Sequence, residues 1–160
     1  MKKKKDSRLI LLKDTRESVE TIYNYGSAKW KDKVQMIRIK LPVGDFSCIE
    51  HEYDIAIERK TTSDLCGSFT HGRERFERMW VRAMDLRIKH KYLLIEGDIN
   101  EIIAGEYRSA VHPNSLLASI MSWSLRYKYN WFIVPNIKSG EDCIYWLLKN
   151  YLRINKESKK

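Results

Sequence analysis

The chain has 160 residues, 43% of them hydrophobic, and a formal net charge of +9, which is enough length for one domain with its own core. No apolar run approaches the ~18 residues of a membrane span, and the stretch behind the N-terminal lysines, Leu9 to Leu12, is far shorter than a secretory signal. The protein is therefore expected to stay inside the cell, in cytoplasm or nucleus, away from membranes.

The charge is uneven. Residues 1–6 and 153–160 each carry +3, leaving +3 on the remainder. The expected organisation is a basic N-terminal tail over 1–7, a single domain over 8–152 and a basic C-terminal tail over 153–160, with no internal repeat. Cys48, Cys66 and Cys143, and His51, His71, His90 and His112, fall at no zinc-ligand spacing. The cysteines are expected reduced and mostly buried, and oxygen ligands would hold any metal.

Leu9-Ile10-Leu11-Leu12 reads as a buried strand delivering Asp14-Thr15-Arg16-Glu17 to its end. Ser18 to Tyr25 can form a short helix before Gly26. Residues 34–41 are β-rich, Pro42 and Gly44 mark a turn into 45–49, and 54–60 supply another strand. Together these suggest a meander. From Arg73 the period changes: Phe76, Met79, Trp80, Ala83, Met84 and Arg87 fall on one helical face. Tyr92 to Ile95 reads as a central strand, 113–127 as a second helix and Trp131 to Val134 as a last strand. Ser139-Gly140-Glu141-Asp142 has the form of a capping box before a terminal helix striped by Ile144, Leu147, Leu148, Tyr151 and Leu152. The fold class expected is α/β, a mixed central β-sheet flanked by helices on both faces.

The chemistry is expected where the apolar run Ile55-Ala56-Ile57 ends in Glu58-Arg59-Lys60, because charges at the end of a buried strand are costly unless used. Strand alternation turns Glu58 and Lys60 to one side and Arg59 to the other. Asp45, 13 residues before Glu58, is at the spacing of a strand, a turn and a return. Adjacent carboxylates resist joint ionisation and a divalent cation relieves them; Mg²⁺ suits such ligands and brings water that can act as nucleophile. Lys60 can orient that water or stabilise charge on a phosphate. The competing reading of an isolated D…ExK pattern is ion pairs on an exposed sheet edge.

More than that pattern is present. Gly44-Asp45, Glu58-Arg59-Lys60 and Asp64 resemble the GDxnERKxxxD signature of the XPF/Hef-type structure-specific endonucleases. Asp14-Thr15-Arg16-Glu17 is similar to the family's DxRE, Asp64 to Phe69 to its DL-x-x-S segment, Gly72-Arg73 to its GR element and Leu93-Leu94-Ile95-Glu96 to its LLIE strand. The resemblance covers nearly the whole chain.

It implies a restriction-endonuclease-like core and Mg²⁺- or Mn²⁺-dependent hydrolysis of phosphodiester bonds in branched, flapped or junction DNA, in repair, recombination or replication. Asp45, Glu58 and Glu17 would be carboxylate metal ligands and the Arg59 carbonyl a backbone ligand; only the resemblance chooses Glu17 over Asp14. Lys60 would be the catalytic lysine, with Asp14 and Asp64 shaping the site and Arg16, Arg59 and Arg73 placed against DNA. Family members usually continue into a tandem helix-hairpin-helix domain, which this sequence does not include, and their nuclease domains pair through helical faces, so a homodimer is expected. The alternative function is a non-catalytic DNA-binding or dimerisation partner of an active nuclease.

Three smaller signals are read from the residues alone. Trp30, in a polar loop, is the aromatic expected to be exposed and is placed with the DNA contacts. Trp123, Trp131 and Trp146 are expected in the core, and Arg75, Arg78 and Arg82 on a solvated helix face.

Overall fold

The computed structural model describes residues 8–17 and 23–158. Its elements in chain order are β1 (Leu9–Asp14), β2 (Val34–Ile39), β3 (Phe46–Cys48), β4 (Ile55–Thr61), α1 (Thr62–Phe69), α2 (Arg73–Asp85), β5 (His90–Glu96), α3 (Ile99–Ala104), α4 (Pro113–Tyr127), β6 (Asn130–Val134) and α5 (Ile137–Glu157). The six strands form one sheet in the order β2-β1-β3-β4-β5-β6. It is mixed: β1 pairs in parallel with β2, antiparallel with β3; β3 is antiparallel to β4; and β4, β5 and β6 run parallel. The expected meander is therefore only partial, because β2 lies outside β1 and parallel to it, and the return comes through β3.

Helices cover both faces, as the patterning predicts. On one face α1, α2, α3 and α4 enclose Ala56, Leu93 and Ile95 with Leu65, Phe76, Trp80, Leu116 and Trp123. On the other, α5 and the segment before β2 enclose Leu11, Phe46, Ile55, Ile57 and Leu94 with Tyr23, Tyr25, Trp30, Ile144 and Leu148. The alternation along β4 and β5 thus divides neighbouring residues between two cores. Among the described residues no helix is long and apolar enough to cross a membrane, and the three cysteines are free, Cys48 and Cys66 buried.

Several expectations are corrected. Of the helix expected over 18–25, residues 18–22 lie outside the described residues, while Tyr23 and Tyr25 hold left-handed φ of 57° and 50° and are not helical. The last helix starts before the Ser139 motif: Asn136 is its cap and accepts from the Ser139 N–H at 3.0 Å. It also runs through Arg153 to Glu157, so most of the expected basic tail is helical. Met84 is exposed and Arg87 lies beyond α2 at φ 56°. Trp146 is 58% exposed, because the buried stripe of α5 is set by Ile144, Tyr145 and Leu148 and position 146 falls outside it.

Candidate active site

The carboxyl ends of β1 and β4 open onto a cleft of about 610 Å³ floored by Asp45, Glu58 and Lys60 and walled by residues of the β1 end, α1 and α2. Two local features bring Asp45 there. Gly44 adopts φ +75°, and a Cβ on it would meet the Ile57 carbonyl oxygen at 2.8 Å, so only glycine allows this turn to lie against β4. Asp45 then enters the ladder on both sides: its N–H donates to Ile57 O and its carbonyl accepts from Asp14 N, each at 2.8 Å. Phe46 lies opposite Ile57, which sets Asp45 beside Glu58 as the residue spacing predicts.

Glu58 is 7% exposed, and its Oε1 receives Lys60 Nζ at 3.0 Å. Burial pushes the Asp45 carboxyl well above its ordinary value, and the neighbouring Glu58 and Glu17 push it further. Burial also raises Glu58, with Lys60 partly opposing. For Lys60, burial pulls downward but the charge and hydrogen bond of Glu58 outweigh it, leaving the ammonium more basic than usual. Its Nζ lies 5.4 Å from the centroid of the Phe76 ring, so the lysine is enclosed between an anion and an apolar wall.

Asp14 has a different environment. Its Oδ1 accepts from Arg16 N and Nε at 2.8 and 2.7 Å, and Oδ2 from Arg16 Nη2 at 2.9 Å and Leu41 N at 2.7 Å. Burial raises this carboxyl, but the hydrogen bonds from Arg16 and Leu41 prevail and hold it below its ordinary value. Asp14 is thus an anchor for the loop after β1 and for Arg16, which also donates to Leu41 O at 3.2 Å. Glu17 lines the same cleft, and its carbonyl accepts from Arg38 Nη2 at 2.7 Å. Asp64 lines it from the first turn of α1, where its carboxylate accepts from Thr61 Oγ1 at 2.7 Å while the Thr61 side chain caps the helix.

Arg59 faces the opposite side of β4, as alternation requires. Its guanidinium pairs with Glu96 at the end of β5 and lies 5.8 Å from the Tyr23 ring centroid, and the Tyr23 hydroxyl donates to the same carboxylate. This side chain is outside the cleft, so its expected place against DNA is corrected; Arg59 reaches the site through its main-chain N–H, which donates to Asp45 Oδ2 at 2.8 Å.

The expected exposure of Trp30 is corrected too. Trp30 is 1% exposed: its ring packs between Tyr25 and Tyr145 and its Nε1 donates to Glu141 Oε2 at 3.0 Å, because the start of α5 covers a loop whose sequence is polar. Arg73, at the start of α2 between the lining residues Gly72 and Arg75, is exposed; it pairs with Glu77 at 3.2 Å and its guanidinium lies 5.2 Å from the Trp123 ring centroid. Arg75, Arg78 and Arg82, expected on a solvated helix face, line the cleft. Their recurrence at i, i+3 and i+7 fits a solvated face and a cleft wall equally, and only the placement of α2 decides between them.

Among the described residues no three carboxylate, imidazole or thiol groups converge as a ready-made metal cluster. The donors nevertheless fit a hard divalent cation: two buried carboxylates held above their ordinary values would be relieved by one, and Mg²⁺ usually completes its shell with water. Asp45 and Glu58 could hold it, with Glu17 at the rim.

No curated protein matches this chain in sequence. Among solved structures, the chain resembles XPF from Aeropyrum pernix with a TM-score of 0.70 at 23% identity, over 94% of this chain and 68% of that one. XPF from Aeropyrum pernix in complex with DNA matches at 0.70 and 24% identity, over 91% and 66%. The chain thus spans about two thirds of the length of these relatives, and at such identity they show the shared fold. The ERCC4 domain model matches residues 13–147, from the strand that ends in Asp14 to the last helix, and the chain belongs to the ERCC4 domain family.

Proposed function

We propose that the protein is a divalent-metal-dependent DNA endonuclease that hydrolyses phosphodiester bonds, with branched, flapped or junction DNA as substrate in repair, recombination or replication. The observation that carries this reading is the buried Asp45–Glu58 pair with Lys60 Nζ at 3.0 Å from Glu58, on the floor of an open cleft. Family membership supports a nuclease of the DNA-repair type, and one structural relative is a complex with DNA.

Asp45 and Glu58 would hold Mg²⁺ or Mn²⁺, with Glu17 or the Arg59 carbonyl as further donors. When bound, the cation supplies a more acidic water and neutralises phosphate charge. The chain's residues do the rest. The Arg59 N–H fixes Asp45 Oδ2, so one carboxylate oxygen is oriented before substrate arrives. Lys60, kept protonated by Glu58, presents an ammonium where charge develops on the phosphate oxygens. Arg16, locked to Asp14 at the rim, offers a second cation.

The test is cleavage of end-labelled splayed-arm, flap, four-way and linear duplex DNA with Mg²⁺ or Mn²⁺, comparing wild type with Asp45→Asn and Lys60→Ala. Cutting that both substitutions abolish supports the reading, and the order of substrates gives branch selectivity. Binding without cutting in either metal overturns it in favour of a non-catalytic partner. Pairing of two copies is part of the proposal, supported by exposed Leu125 on α4, which lines one surface hollow with Phe132 of the edge strand β6. Sedimentation of the same preparation reads it.

A further inference from the structure

The wall of the cleft facing the carboxylates is made by α2, and three of its lining side chains are Arg75, Arg78 and Arg82. At 3.6 residues per turn they lie within an arc of roughly 60°, and at 1.5 Å rise the row is ~10 Å long. The stripe beside it, Phe76, Trp80 and Ala83, is buried in the core, so the row is held on a helix that cannot roll. Among the described residues neither Arg75 nor Arg82 makes an ion pair with a carboxylate. Among the described residues Arg78 pairs only with Glu74, at 3.2 Å, both side chains largely exposed, an arrangement worth little in water. Arg75 lines the same cleft as Asp45 and Glu58, so one end of the row shares the site with the carboxylate pair. A solvated face would spread its charges around the exposed arc and pair them; this row is narrow, largely unpaired and turned to the cleft.

We propose that Arg75, Arg78 and Arg82 form a track for the nucleic-acid backbone, holding successive phosphates of one strand as it leads into the Asp45–Glu58–Lys60 site. The proposal rests on the nuclease reading above and names how that site would grip its substrate. A row of ~10 Å matches about three nucleotides at 3.4 Å axial rise per strand. Arginine is suited to the task because its planar fork takes phosphate oxygens two at a time. Phosphate contacts carry no base information, so the track would set register and affinity.

The experiment measures binding by fluorescence anisotropy to a labelled splayed duplex from 50 to 200 mM salt, on the Asp45→Asn background so that no strand is cut. Arg75→Gln, Arg78→Gln, Arg82→Gln and the triple substitution are compared with Arg153→Gln, a control on α5 paired with Glu157 at 3.0 Å. Each phosphate that a substitution leaves unneutralised should reduce the slope of log K against log salt by about 0.9, with a several-fold loss of affinity at low salt for each single substitution. Arg82→Lys should recover part of the loss. Neutral methylphosphonates placed one at a time along the strand should weaken the parent protein at two or three adjacent positions, and the triple variant should be indifferent there. Unchanged slopes, or a loss equal to that of Arg153→Gln, overturn the track. The two readings fail separately: wild type that cuts DNA while the arginine variants bind normally sinks the track alone, and wild type that binds through α2 yet never cuts sinks the nuclease alone.

Discussion

The Arg59 main chain holds Asp45 while the Arg59 side chain holds Glu96: the N–H donates to Asp45 Oδ2 at 2.8 Å on one side of β4, and the guanidinium pairs with the end of β5 on the other. One residue therefore couples the position of an expected metal ligand to a buried network on the opposite face of the sheet, completed by Tyr23.

Tyr23→Phe tests that coupling without touching the cleft. The substitution leaves a Glu96 oxygen short of a donor in a half-buried setting, at a cost of about 1–3 kcal/mol, read as a lower urea midpoint. If the network positions Asp45, turnover should fall while the KM for DNA stays near wild type, because no cleft residue has changed. A loss of stability with full turnover would confine Tyr23 to packing.

The carboxylate pair makes stability depend on pH and on cation. Burial raises both Asp45 and Glu58 above their ordinary 3.8 and 4.5, so the folded chain retains protons that the unfolded chain has lost. Unfolding free energy then falls as pH rises from the ordinary carboxylate range through the raised folded values. Asp14 acts in the opposite sense: its lowered value gives stability that is present above 3.8 and lost as pH falls through the folded value. Asp45→Asn keeps an oxygen for the Arg59 N–H and removes one charge, so it should melt higher than wild type at pH 8 without divalent cation and show a shallower decline from pH 5 to 8. Saturating Mg²⁺ should raise the wild type alone, by about 2.7 kcal/mol at a hundred times Kd. Equal responses of the two proteins to Mg²⁺ would remove Asp45 from the metal site.

Gly44→Ala should damage both fold and site. The left-handed φ costs about 1 kcal/mol or more for a residue with a Cβ, and the new methyl meets backbone at 2.8 Å, so the turn must shift. Because Asp45 follows directly, cleavage should fall more steeply than the loss of stability explains. Single-turnover rates measured well below the melting temperature separate the two.

What the sequence discloses follows from how local its signals are. The division of Ile57, Glu58, Arg59 and Lys60 between two faces is pure strand alternation, and the structure keeps it: Glu58 and Lys60 reach the cleft, Arg59 the opposite core. Asp45 beside Glu58 needs only the length of one hairpin. The errors come where a partner distant in sequence decides the environment. Trp30 looks exposed among lysines until Tyr145 and Glu141, over a hundred residues away, close over it. Arg75, expected on a solvated helix face, lines the cleft because the placement of α2 across the ends of β1 and β4 is set by contacts distant in sequence. The Asn136 cap is masked by a plausible motif three residues later, since a terminus is set by which side chain reaches a free N–H.

Trp30 supplies the last prediction, because exposure and burial forecast opposite results. Were the indole on the surface against DNA, Trp30→Ala would lower affinity and spare stability. Its ring is instead packed against Tyr25 and Tyr145, with Nε1 bonded to Glu141, so truncation opens a cavity in the core under α5 at a cost of about 3–5 kcal/mol. Trp30→Phe keeps most of the volume and should cost less, losing chiefly the hydrogen bond to Glu141. At a temperature where Trp30→Phe is fully folded, its DNA affinity and salt slope should equal those of wild type, since no atom of residue 30 lines the cleft. A folded Trp30→Phe protein that binds DNA several-fold more weakly would return this tryptophan to the interface.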